Sequence, residues 1–218
     1  MPIRPRSWIL LPLAFVFVSV LRAAGFPAPI VDIAAPANHQ AQTVVLAGGC
    51  FWGVEAAFEH LKGVTGAVSG YSGGSKSTAV YETVSTGRTG HAESVRVSYD
   101  PSQISFGQLL QVFFSVVHDP TQVDGQGPDS GTQYRSAIFY ATDEQKRVGD
   151  AYIQQLNNAK VFPRPIATRL SPLTAFYAAE EYHQHFVARN PNYGYVVAYD
   201  LPRLKRLQQQ FPELWKGK

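Results

Sequence analysis

The sequence predicts an α+β fold, a two-layer sandwich in which helices cover one face of a mainly antiparallel sheet. Three observations carry this. Apolar residues make up 45% of the 218 residues and charged residues only 16%, so the chain can bury a substantial core. Periodicity switches between strand-like alternation and helical stripes in the order β-α-β-β-α-β, the split arrangement of ferredoxin-like domains. Past that unit the pattern adds further helices toward the C-terminus, with no internal repeat.

The elements follow in order. Thr43 to Ala47 is a short β-branched apolar run stopped by Gly48-Gly49, and reads as a strand. Val54, Ala57, Phe58 and Leu61 then recur at helical spacing, with Glu55, Glu59 and Lys62 on the other side and Gly63 as terminator. Val64 to Tyr71 and Glu93 to Tyr99 read as strands, the second with Val95, Val97 and Tyr99 on one face. The loop of about 21 residues between them is long enough to suggest a function. Ser105 and Gln108 form a capping box for a helix whose apolar stripe is Phe106, Leu109, Leu110, Phe113 and Val117, ending before Asp119-Pro120. Ser136 to Ala141 reads as strand, and Thr142 with Gln145 caps a third helix. A strand near Ile166 to Leu170, a helix around Ala178 to Arg189 and an amphipathic tail from Leu201 to Lys218 complete the expected elements.

The N-terminus is compositionally separate. Arg4 and Arg6 precede an acid-free apolar run from Trp8 to Leu21, followed by Ala23, Ala24 and Gly25, the order of a secretory signal peptide. The run is shorter than the ~20 residues that span a bilayer, so residues 1–25 read as a cleaved signal and an uncleaved anchor is the alternative. Residues 26–42, with Pro27, Pro29 and Pro36 among alanines, read as a flexible linker, leaving 43–218 as the folded domain. Cleavage would remove Arg4, Arg6 and Arg22 and no acid, turning 19 bases against 16 acids into 16 against 16. A neutral mature chain carries no footprint for nucleic acid or anionic lipid. The expected product is an exported, periplasmic or secreted monomer with no stable membrane span.

Cys50 is the sole cysteine, so in an exported protein it is inert in the core, paired to another chain, or kept for chemistry. Its place between a strand end and a helix start favours chemistry. Free backbone N–H groups and the helix dipole there stabilise a thiolate, which predicts a thiol pKa below the ~8.5 of free cysteine. Phe51 and Trp52 lie outside the helix's apolar stripe and can wall a pocket beside the sulfur. Four classes stay open at this point: a reductase, a cysteine hydrolase or acyltransferase, a thiol peroxidase, and a binding module in which the cysteine is dispensable. A metal site is disfavoured, because there is one cysteine and His183 and His185 point to different sides of a helix.

The segment Gly48-Gly49-Cys50-Phe51-Trp52-Gly53 resembles the signature of type A peptide methionine sulfoxide reductases. So, in order and approximate spacing, do Gly70-Tyr71-Ser72-Gly73-Gly74, Tyr81, Gly90-His91-Ala92-Glu93, His118-Asp119-Pro120-Thr121-Gln122, Gly131-Thr132-Gln133-Tyr134-Arg135-Ser136 and Ala179-Glu180-Glu181-Tyr182-His183-Gln184. The resemblance implies that the thiolate of Cys50 attacks a sulfoxide sulfur, methionine leaves, and Cys50 becomes a sulfenic acid. It implies Glu93 as proton donor, Tyr81 and Tyr134 as hydrogen-bond donors to the oxygen, Asp129 as organiser of the pocket, and Phe51 and Trp52 as the cradle of the methyl group that restricts the family to the S epimer. To act as an acid Glu93 must be neutral, so burial is expected to raise its pKa. His91, His118 and His183 are expected in structural hydrogen bonds. The family's C-terminal resolving cysteines have no counterpart here: after Asn190-Pro191-Asn192 the chain runs through Tyr193-Gly194-Tyr195, similar to single-cysteine members. No cofactor is implied, and the reductant is expected to be an external thiol, either a thioredoxin-like or glutaredoxin-like protein or a small thiol.

Overall fold

The computed structural model describes residues 25–36 and 40–217. The segment read as a signal peptide lies, apart from Gly25, outside the described residues. Strands β1 (Gln42–Gly48), β2 (Val64–Ser72), β3 (Ala92–Tyr99), β4 (Ser136–Tyr140), β5 (Arg169–Pro172) and β6 (Phe176–Ala178) form one six-stranded sheet in the order β5-β4-β1-β3-β2-β6. Its inner four, β4-β1-β3-β2, have the ferredoxin-like order that the β-α-β-β-α-β pattern predicts. All pairings are antiparallel except β4 with β5.

Strand alternation sets the two faces. Val44 and Leu46 of β1 and Val95, Val97 and Tyr99 of β3 face the main core under the helices. Val45 and Ala47 face the opposite side, where they meet Ala92, Ala137 and Phe139 in a smaller cluster covered by Leu173 and Phe176. Glu93 shares the parity of Val95, Val97 and Tyr99. The alternation that buries those three therefore drives a carboxyl into the core at the strand's first turn.

Three longer helices follow the sequence pattern. They are α1 (Phe51–Glu59), α2 (Phe106–Val112) with the full Ser105–Gln108 capping box, and α3 (Asp143–Asn158), where the Thr142 hydroxyl accepts the Gln145 N–H. Gln145 does not close a second box, because its Oε1 accepts from Ala141 N–H instead. A wider turn over Phe113–Val117 carries the α2 stripe to His118. The last helix, α4 (Leu201–Gln210), packs on α1, and the chain closes through Trp215 against Leu61.

Three expectations need correction. Residues 26–36 are not a free linker: Phe26, Val31 and Ile33 pack on the core, and Asp32 accepts hydrogen bonds from the Ser105 hydroxyl and, at 2.8 Å, from Gly107 N–H. Tyr152 and Gln155 of α3 bond the carbonyls of Pro27 and Ala28. The prolines make this strap irregular, and side chains on α2 and α3 hold it down.

The helix expected over Ala178 to Arg189 is broken into β6, a turn at Glu181–His183, His185 in the left-handed region at φ 52°, and one helical turn at Phe186–Arg189. The reason is tertiary. Gln184 bonds both the N–H and the C=O of Ser69 on the edge of β2, and the Glu180 carboxylate takes the Tyr71 hydroxyl and Tyr81 N–H. Polar side chains that a helix would leave in solvent are used instead to tie the segment to the sheet. The β5 strand likewise begins at Arg169, three residues beyond its expected start, where it registers against Ala137 of β4.

Candidate active site

Strand β1 ends at Gly48 and α1 begins at Phe51, so Cys50 stands at the N-cap position of the helix. Gly49 makes the reversal with φ 92°, and a Cβ there would sit 2.7 Å from Gln126. Gly53, one turn on, lets the buried Asp200–Arg203 ion pair reach the helix, since a Cβ there would lie 1.6 Å from Arg203 Nη1. The glycines of this signature are demanded by contacts as well as by flexibility.

Cys50, Phe51, Trp52, Tyr81, Glu93, Asp129 and Tyr134, all singled out from the sequence, line one cavity of about 200 Å3, with Tyr193 and Tyr195 completing it. That is smaller than the ~300 Å3 at which drug-sized ligand sites begin, and suits a single side chain. Glu93 enters from β3 and its Oε2 accepts the Phe51 N–H at 3.0 Å, so the carboxyl occupies the helix N-terminus beside the thiol. Trp52 is held by its indole N–H on His183 Nδ1 at 3.0 Å and by a parallel stack on Phe186 at 3.7 Å. Tyr81 is carried by a one-turn helix in the long loop and fixed through its backbone N–H on Glu180. Asp129 lies on a small hairpin with Gln126, and its carboxylate accepts a hydrogen bond from the Tyr195 hydroxyl.

Protonation follows burial. Glu93 is 2% exposed, and desolvation pushes its carboxyl up to about 8 against the pull of the Phe51 N–H. The expectation for Cys50 is reversed: burial, and next the charge of Glu93, push the thiol well above its ordinary value, and the Trp52 N–H at the helix end offsets only part of this. Asp200 and Asp129 add to the rise. The helix dipole is present, but a cysteine only 9% exposed among three carboxyls is governed by desolvation and like charge. At neutral pH the site therefore holds a thiol and a carboxylic acid. Tyr81 and Tyr134 are raised as well, by burial first and then by Glu93, and stay protonated donors.

The histidines stand in structural hydrogen bonds. His118 is buried with its pKa lowered to about 3 by desolvation, between Phe113 O and the Ser136 hydroxyl. His91 spans Gly74 N–H and Ser75 O. His185, read from the sequence only against His183, bonds Glu59 through its ring and Glu55 through its backbone N–H, and these three are the described residues close enough to share a cation. Sequence reasoning missed Glu180, Tyr195 and the Asp200–Arg203 pair as supports. Glu180 and Tyr195 stand in segments whose motifs were read, but only tertiary contacts reveal their partners.

A thiol and a protonated carboxyl facing two phenols across a small, aromatic-walled pocket define a site for taking a polar oxygen from a short apolar group. Comparison with known proteins agrees. Residues 42–214 match the family model "Peptide methionine sulfoxide reductase". The chain is 58% identical over 177 residues to peptide methionine sulfoxide reductase MsrA 2 of Mesorhizobium japonicum, covering 81% of this chain and 91% of that one. It is 48% identical over 173 residues to MsrA of Thermus thermophilus, covering 79% and 97%. Among solved structures it is similar to reduced Mxr1 of Saccharomyces cerevisiae (TM-score 0.65, 35% identity, 70% of this chain and 87% of that one) and to methionine sulfoxide reductase A of Corynebacterium diphtheriae (TM-score 0.61, 36%, 69% and 76%). The chain belongs to the type A peptide methionine sulfoxide reductase family, whose reaction is the reduction of methionine sulfoxide.

Proposed function

We propose that this chain reduces the S epimer of methionine sulfoxide, free or in peptides, through a sulfenic acid on Cys50 that an external thiol regenerates. The observation that carries this is the placing of the Cys50 thiol and the Glu93 acid, neutral to about pH 8, in one pocket with Tyr81 and Tyr134. Cys50 sulfur attacks the sulfoxide sulfur while Glu93 gives a proton to the oxygen and receives the thiol's proton in return; the hydroxyl then passes to Cys50 sulfur, whose S–O bond forms as the substrate's S–O bond and the transient S–S bond break and the thioether leaves. Thiol and sulfoxide thus become sulfenic acid and thioether with no net loss of a proton. The phenols hydrogen-bond the oxygen as negative charge develops on it. Phe51 and Trp52 take the methyl group, and opposing that apolar wall to the donors selects one sulfur configuration. Asp129 acts through Tyr195, fixing one edge of the pocket.

With Cys50 the only cysteine in these 218 residues, the oxidising equivalent leaves on a thiol from outside, a thioredoxin-like protein or a small thiol. Residues 1–25 are read as an export signal, which makes oxidised periplasmic or secreted proteins the substrates; N-terminal sequencing of the mature protein tests this. For the reaction, the chain and its Cys50→Ser variant are incubated with peptides carrying each sulfoxide epimer and excess dithiothreitol, and the products weighed. Reduction of the S epimer alone, lost in Cys50→Ser, is expected. Equal reduction of the R epimer, or activity surviving in Cys50→Ser, removes the proposal.

A further inference from the structure

Cys50 opens to two cavities. Besides the aromatic pocket, a second one of about 530 Å3 reaches the same residue from the side of α4. Asp129 and Tyr195 line both, so their hydrogen bond stands as a partition on which the two spaces meet. The spaces differ in charge. Among the described residues no cation lines the aromatic pocket, whereas Arg164, Arg203 and Arg206 line the second.

Arg203 is the deepest of the three. Its Nη1 meets Asp200 at 3.0 Å, while its Nε is buried with no partner among the described residues. It lines the cavity together with His118 and Asp129, and its charge lowers the one and opposes the rise of the other. Arg206 is lowered by burial first and then by Arg203, one guanidinium repelling the next. Of the acids on the lining, Asp119 accepts the Thr121 N–H and hydroxyl, and Asp129 accepts Tyr195. Adjacent repelling guanidiniums with an unused buried donor are complementary to an anion.

We propose that this second cavity admits the reducing thiol and selects a small thiol that carries a carboxylate. The proposal rests on the reading that Cys50 is regenerated by an external thiol. A thiol entering here attacks Cys50 sulfur; the new S–S bond forms as the S–O bond breaks, and the oxygen leaves as water. Attack from the side of α4 puts the departing oxygen on the side of Glu93, which can give it a proton. A second thiol then attacks the outer sulfur, releasing Cys50 and the disulfide of the small thiol. Two thiols are oxidised by two electrons in all, and the sulfenic acid is reduced by the same two. The route leaves the aromatic pocket free of reductant.

Ping-pong kinetics isolate this half, because kcat/KM for the thiol contains no step of sulfoxide reduction. The full chain is assayed with 3-mercaptopropionate and with its amide, each rate referred to thiolate concentration. We expect the acid to exceed the amide by about tenfold at low salt, the worth of one charge-assisted contact. The advantage should shrink in about 0.5 M KCl, where the screening length is only a few ångströms. In Arg164→Gln/Arg206→Gln, which leaves Arg203 on the lining, the acid-to-amide ratio should fall to about a third of its value. A misfolded variant slows both thiols and leaves the ratio in place. A ratio near one in the unmodified chain overturns the proposal, as does an undiminished ratio in a double variant that turns over the amide at the unmodified rate, or turnover by a thioredoxin-like protein with none by either small thiol. Failure of the underlying reading looks different: dithiothreitol itself would then support no reduction.

Discussion

Glu93→Gln separates the chemical from the structural role of the buried carboxyl. The amide keeps the size and can still accept the Phe51 N–H that Glu93 Oε2 accepts at 3.0 Å, but it has no proton to transfer. General acid catalysis by one positioned group contributes about 10²- to 10⁴-fold, so the rate of sulfenic acid formation should fall by that factor, about 3–5 kcal/mol of barrier. Stability should move the other way. The folded protein holds the Glu93 proton to about pH 8, against an ordinary value of 4.5 for the carboxyl in the unfolded chain. The folded state therefore binds more protons, and the stability tied to this group is fully present below about pH 4.5 and is lost as pH rises toward 8. At pH 7 the accumulated cost is on the order of 3 kcal/mol, which glutamine removes.

The assays are single-turnover reduction of a methionine S-sulfoxide peptide, quenched and weighed, and denaturant unfolding at pH 5, 7 and 9. The variant should be slow at every pH, and its excess stability should grow from pH 5 to pH 9. A variant within a few-fold of the unmodified rate would refute the proton-donor role. A stability difference that does not vary with pH would refute the argument that burial keeps Glu93 protonated.

Other substitutions follow from the same geometry. Gly53→Ala puts a Cβ 1.6 Å from Arg203 Nη1 and 2.1 Å from Asp200 Oδ1, so the buried pair must move apart; unfolding should show a loss of about 3 kcal/mol or more. Trp52→Ala removes the wall stacked on Phe186 at 3.7 Å, and KM for the sulfoxide peptide should rise roughly tenfold, the worth of burying a methyl and part of a methylene. Asp32→Ala leaves the Gly107 N–H at the start of α2 without its partner, so denaturant unfolding should register a loss of about 1–2 kcal/mol with kcat unchanged.

The fold was legible wherever one period ran unbroken. Strand alternation marked Val95, Val97 and Tyr99, and carrying the same parity back by two residues places Glu93 on the buried face as well. The capping residues Ser105 and Thr142 fixed two helix starts to the residue, because an N-cap is a local device. What was not legible depends on partners distant in sequence. Glu180 and Gln184 have the composition of a helix surface, and only the edge of β2 turns them into ties. The strap at 26–36 shows the same limit: proline and alanine signal irregular backbone, which is correct, but nothing local announces that Asp32 meets Gly107. The direction of the Cys50 pKa was missed for a related reason, since the helix end is visible in the sequence and the surrounding carboxyls and depth of burial are not.

That reversal bears on how the enzyme tells substrates apart. A thiolate at a helix end reacts with peroxide and with alkylating agents alike, whereas a neutral thiol reacts slowly with both. Burial and carboxyls keep Cys50 protonated at rest, so attack waits for a substrate whose oxygen can accept the proton that Glu93 holds. We expect iodoacetamide to modify Cys50 in the folded chain much more slowly at pH 7 than it modifies the denatured chain. The Glu93→Gln variant should match the unmodified chain below about pH 8, where Glu93 is uncharged in any case, and exceed it only above, where removing a negative charge favours the thiolate. The comparison measures the electrostatic contribution alone, since desolvation, the larger cause, is common to both proteins. Rapid alkylation at pH 7 in the folded protein would sink this account and restore the helix dipole as the governing influence. Acceleration in Glu93→Gln that is equal at pH 6 and pH 9 would show that the substitution had opened the pocket instead of discharging it.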